Sequence, residues 1–244
     1  MYRYLFANPL LIYKYPTSSR NTTKITFKKV INKTIILALL LSFSLLLSLQ
    51  VNLSTTSLPY LLLLTLALTI LLRKDTSKLI PLYATLHALA EGALLGILIK
   101  LVNNKGHDLL TQALLLTLVT LASIIILYYK KVIYLTPNFK NIFNILTTLY
   151  FLLSLGNIIA LLLKIDSSWG LYHITPIGLA ISLLGTSLAS ASLLRSFERI
   201  KKLTSSSTDE IYSWKAASAI MLSIIWLYFE LLKVLYLLRR VYRA

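Results

Sequence analysis

The stretch Pro81–Leu101, PLYATLHALAEGALLGILIKL, is apolar at nearly every position and long enough to cross a bilayer. A membrane helix needs about 20 such residues. Two residues of its interior, His87 and Glu91, break the pattern. They are spaced i, i+4 and so share one face of a helix. A carboxylate near the bilayer centre costs about 2.5–3.5 kcal/mol on insertion scales. Glu91 is therefore expected to face the interior of a helix bundle or a wet cavity. Gly92 and Gly96 follow as a GxxxG pair, which lets a second helix approach closely.

The rest of the chain repeats the apolar theme. Of its 244 residues 57% are hydrophobic and only 14% charged, and the mean hydropathy is +0.76. A soluble domain of this length has no core large enough to hide that much apolar side chain. The sequence predicts an all-α polytopic membrane protein with seven spans. They lie at Thr34–Val51, Leu58–Leu72, Leu79–Val102, Leu109–Tyr129, Ile142–Leu163, Ile174–Leu194 and Ala216–Leu238. The second is the shortest, too short on its own for a ~30 Å core. Residues 1–33 read as a basic, mostly irregular cytosolic leader, and residues 34–244 as the seven-helix transmembrane domain.

Charge sets the expected orientation. The leader holds seven Lys or Arg and no acid, which places it in the cytosol and argues against a cleaved signal peptide. The connections after spans two, four and six carry three, three and five basic residues. The alternate connections carry none, two and one. An amino terminus inside satisfies every loop, while the tail RRVYRA falls outside if the last helix crosses. The formal charge of +17 thus reads as lipid-headgroup anchoring rather than nucleic-acid binding. The lipid bilayer is the expected partner, and no nucleic acid is.

The chain has no cysteine, which removes thiolate catalysis and Cys-ligated metals. No HExxH motif, GxSxG turn, Walker loop or dinucleotide fingerprint is present, so no enzyme and no resident cofactor are expected. Glu230 is the second acid within a span, in WLYFELLKVLYLLRR, with Lys233 at i+3. Lys233 either pairs with Glu230 or extends toward headgroups and leaves the acid to the interior. At 1.5 Å per residue, Glu91 lies about 15 Å beyond Pro81 and Glu230 about 24 Å beyond Trp214. Both spans run the same way, so the two carboxylates are candidates to meet, share a proton and bind a cation together. Near the end of span six, Arg195, Glu198 and Arg199 are either a headgroup anchor or a gate latched by Arg–Glu contacts, with Arg73 at the same membrane face. Asn144 and Asn157 read as interhelical hydrogen-bonders.

Four stretches together resemble the Bax inhibitor-1 family, and in particular a prokaryotic branch of it. They are NPLL (8–11) with TFKKVINKTIILALLLS (26–42), PLYATLHALAEGALLGIL (81–98), VIYLTPNFKNI (132–142) and SIIWLYFELLKVLYLLRR (223–240). The resemblance implies a seven-helix fold with the last helix central, and a calcium-permeable leak whose gate senses pH. It places Glu230 at the last-helix acid and Arg73 near a basic position on helix two. The helix-six acid falls on Ser196. Glu198 is a candidate substitute, but two helical residues are about 200° apart, so it faces nearly the opposite way unless the helix frays. His87 is a candidate modulator. The alternative is a non-conducting protein that restrains other membrane proteins, such as a quality-control protease, for which a lipid-facing Gly92–Gly96 edge would argue.

Overall fold

The structure is a computed structural model and describes residues 24–51, 57–74, 78–103, 107–130, 132, 136–162, 176–205 and 208–241. Expectations for the leader up to residue 23, and for the connections between these ranges, lie outside the described residues. Among the described residues there are seven α-helices: α1 (Phe27–Gln50), α2 (Leu58–Lys74), α3 (Ile80–Asn103), α4 (His107–Tyr129), α5 (Pro137–Leu162), α6 (Pro176–Ser205) and α7 (Ser213–Val241). Five of them, α1, α3, α4, α6 and α7, have a stretch long and apolar enough to cross a membrane. The short α2, with 17 residues, reaches only about 26 Å at 1.5 Å per residue.

The helix ends follow local chemistry more than hydropathy. α1 opens at Phe27, seven residues before the apolar run, because Thr26 is extended and its hydroxyl accepts the Lys29 backbone N–H at 3.3 Å. That satisfies one of the first-turn amides that have no helical partner. Thr136 does the same for Phe139 at 3.2 Å, ahead of a proline in the first position of α5, where the missing N–H is harmless. α6 continues to Ser205, well past the apolar limit at Leu194, since the polar run RSFERIKKLTS contains no proline or glycine to stop it.

The chain forms two compact units. One holds α1, α2, α3, the end of α6 from Ser196 and the start of α7 to Leu222. Here α3 packs against both α1 and α2. Gly92 and Gly96 are the reason α1 comes so near. A Cβ on Gly92 would collide with the Leu41 carbonyl oxygen, and one on Gly96 with Ser48. Ser44 Oγ donates to the Leu89 carbonyl at 2.6 Å across the same contact, and Lys100 Nζ closes its far end on the Val51 carbonyl at 2.9 Å. The opposite side of α1, with Leu39, Phe43 and Leu46, is exposed, as a lipid-facing side should be.

A strap at the start of α1 joins it to the α6–α7 connection of the same unit. Ile25 N–H donates to the Thr208 carbonyl at 3.0 Å. Glu210 Oε2 takes Lys29 Nζ at 2.5 Å, and its Oε1 lies 3.6 Å from Lys33 Nζ. Lys33 also bonds the Ser213 hydroxyl and stands 5.2 Å over the Trp214 ring. These charges are partly exposed, so Glu210→Gln should cost no more than about 1 kcal/mol. Its thermal midpoint should fall at low salt and merge with the wild type near 1 M salt, where screening reaches ~3 Å.

The other unit holds α4 from Asp108, α5, α6 to Arg195 and α7 from Ser223. Phe143 and Tyr150 of α5 cluster with Leu188 and Ala191 of α6, with Trp226 packed against them. Ala189 joins Leu227 and Leu231, and Leu109 and Ala113 of α4 join Leu232. The last helix thus carries apolar contacts to α4, α5 and α6 within this unit.

Candidate functional site

Among the described residues, each unit carries one buried acid in a polar setting. In the first, Glu91 is 6% exposed and His87 wholly buried. Their i, i+4 spacing on α3 puts His87 Nε2 at 3.6 Å from Glu91 Oε1. Thr69 of α2 shares a 2.8 Å hydrogen bond with the same ring nitrogen. Glu91 Oε2 and His87 Nδ1 are buried without a hydrogen-bond partner. The helix faces account for this placement: α3 turns Gly92 and Gly96 toward α1, while His87 reaches Thr69 of α2.

In the second unit, Glu230 is 2% exposed. Its Oε2 accepts the Tyr150 hydroxyl at 2.7 Å and lies 2.7 Å from Lys233 Nζ. Its Oε1 accepts the Trp226 indole N–H at 2.9 Å. Lys233 Nζ also donates to the Tyr150 oxygen at 2.9 Å, so Tyr150, Glu230 and Lys233 close a three-membered ring. Gly185 on α6 makes room for it: a Cβ there would run into the Tyr150 hydroxyl and come within 2.5 Å of Glu230 Oε2. The i, i+3 pairing is therefore the arrangement adopted, and Lys233 does not leave Glu230 alone.

Ser196 is wholly buried, and Glu198 and Arg199 are half-buried. α6 is continuous through them, so no fraying turns Glu198 into the direction of Ser196. Arg73 is half-buried, and its carbonyl accepts Lys215 Nζ at 3.4 Å. Lys215 is wholly buried and sits 5.6 Å over the Tyr212 ring, so it holds a carbonyl of the last turn of α2, where the helix dipole favours a cation. Arg195 bonds the Asn144 side-chain oxygen and lies 4.9 Å over the Phe143 ring, an interhelical tie between α6 and α5. The side chain of Asn157 lies outside the described residues.

Glu91 belongs to one unit and Glu230 to the other. Among the described residues no three His, Asp or Glu side chains gather as a metal-holding group. Sequence reasoning missed Tyr150, Thr69, Trp226 and Gly185. For Trp226 a signal existed, its i−4 position from Glu230; for the others, 80 residues from Tyr150 to Glu230 left no local pattern to read.

A chain whose described elements are all helices, with apolar helices of membrane-spanning length and acids buried on two of them, is an integral membrane protein. The family model described as Bax inhibitor 1 like matches residues 8–240, nearly the whole chain, and the chain belongs to that family. Comparison with curated proteins finds no match.

Proposed function

We propose that this protein is a proton-modulated cation leak, with calcium as the permeant ion, in a prokaryotic plasma membrane with its amino terminus cytosolic. Family membership over residues 8–240 supports the reading. The observation that carries it is the pair of buried carboxylates, Glu91 and Glu230, on helices of spanning length. Ionisable groups buried on membrane-spanning helices mark ion or proton pathways by default. In this reading Glu230 and Glu91 are the acids of the path and His87 a modulator of Glu91. Arg73, Ser196 and Glu198 lie toward a gate.

The alternative, a non-conducting restraint on other membrane proteins, drew on an open Gly92–Gly96 edge. That edge is filled by α1, which favours the leak. Reconstitution into calcium-dye liposomes tests it. The wild type should admit calcium at a rate that differs between acidic and neutral pH. Glu91→Gln and Glu230→Gln should each cut the pH-dependent part by about tenfold, the scale of about 1.4 kcal/mol lost with one ionisable group of the path. Fluxes equal to those of empty vesicles at both pH values sink the proposal.

A further inference from the structure

The buried carboxylate of Glu230 has its counter-charge on the next turn of its own helix. A calcium-class ion seeks oxygen ligands, and Glu230 Oε2 with the Tyr150 hydroxyl oxygen is such a pair. The position facing both oxygens is taken: Lys233 Nζ lies 2.7 Å from the first and 2.9 Å from the second. The Glu230 charge is thereby cancelled, and a neutral site has little electrostatic attraction for a second cation. Both oxygens lie close against α6, where Gly185 leaves them room that a Cβ would take. Lys233 is the movable member. Its side chain is 27% exposed against 3% for that of Glu230, and its long stem can carry the ammonium outward without leaving apolar contact.

We infer that Lys233 is a tethered cation that holds the place of an external ion on Glu230 and Tyr150, and so determines whether this site admits one. The inference rests on Glu230 being an acid of the ion path proposed above. It adds that the path is occupied here by the protein's own ammonium group. Swinging Lys233 aside uncovers a buried carboxylate with a phenolic oxygen beside it; returning it displaces the ion. A lysine is suited to this because its charge is compact and its stem flexible, whereas a guanidinium would hold the pair in a fixed fork.

Terbium, a luminescent ion with calcium-like ligand preference, reads the site directly in the detergent-purified full chain, since Trp226 and Tyr150 are positioned to sensitise its emission. Lys233→Met should gain a terbium-binding component about tenfold or more tighter than any in the wild type, the scale of uncovering one buried charge. That component should vanish in Lys233→Met/Glu230→Gln, and Lys233→Arg should titrate like the wild type. In the wild-type background, Glu230→Gln should leave the titration unchanged. The inference fails if Lys233→Met binds no tighter than the wild type, or if its gain survives Glu230→Gln. It also fails if the wild type itself shows a tight component that Glu230→Gln removes, an outcome that needs no Lys233 variant to fold. Because binding is read without transport, a failure of calcium flux in liposomes and a failure here are separate results.

Discussion

Gly92→Ala should destabilise the chain more than Gly96→Ala, although each adds one methyl group to the same helix face. The added carbon on Gly92 would meet the backbone of α1: it overlaps the Leu41 carbonyl oxygen and lies 3.1 Å from the Leu41 carbonyl carbon. A carbonyl in mid-helix cannot turn away without breaking its own ladder, so α1 must back off from α3. The carbon on Gly96 meets first the Ser48 hydroxyl, which now donates to the Leu45 carbonyl at 2.8 Å and can rotate; the Ser48 Cβ at 3.0 Å and the Leu45 carbonyl oxygen at 3.1 Å then need to give only a few tenths of an ångström. Overpacking costs about 1–3 kcal/mol, and replacing a helical glycine returns about 1 kcal/mol. The expected net loss is about 1–2 kcal/mol for Gly92→Ala and near zero for Gly96→Ala. Gly92→Leu should leave no folded chain, since its branched side chain has no volume to enter. Thermal unfolding in one detergent, followed by size-exclusion chromatography, measures the series. Equal midpoints for the two alanine variants would show that α1 does not rest on these glycines.

That comparison also shows what a single sequence discloses. The glycine pair was legible as a packing edge because its spacing is a property of one helix. The helix that fills it was not, since nothing in residues 92–96 distinguishes α1 from a lipid-facing partner. The same division runs through the polar sites. The pairs His87–Glu91 and Glu230–Lys233 are local spacings and can be read along the chain. Thr69, Tyr150 and Gly185 enter only when three-dimensional packing brings them in. GTSLAS, at residues 185–190, lacks the second glycine of a GxSxG turn, yet its Gly185 is what lets Tyr150 and Glu230 meet beside α6. Helix ends divide in the same way. An apolar run marks where lipid begins and ends, whereas a helix stops where its caps and breakers are, so α1 begins before its apolar run and α6 outlasts its own.

Replacing Glu230 should have the larger effect on stability, and the choice of replacement decides how much. Glu230→Ala removes the acceptor of the Tyr150 hydroxyl and the Trp226 indole N–H and the counter-ion of Lys233 in one step. Breaking a buried ion pair from one side costs about 3–5 kcal/mol. Lys233 is partly exposed and can turn outward, which places the expected loss near the lower end, about 3 kcal/mol. Glu230→Gln keeps the shape and one acceptor oxygen, enough for Trp226 or Tyr150 but not for both with Lys233. Its loss should be about 1–2 kcal/mol, the scale of one unmet hydrogen bond. In Glu230→Ala/Lys233→Met no charge remains buried without a partner. The double variant should therefore be more stable than Glu230→Ala alone, with a coupling of about 1–3 kcal/mol in the cycle. Thermal midpoints of the four chains in one detergent give the cycle directly, and additive losses would mean that the Glu230–Lys233 contact contributes nothing to stability. Coupling of the expected sign would mean that the charge Glu230 presents is set by Lys233, the condition under which a swing of that lysine can open the site to an ion.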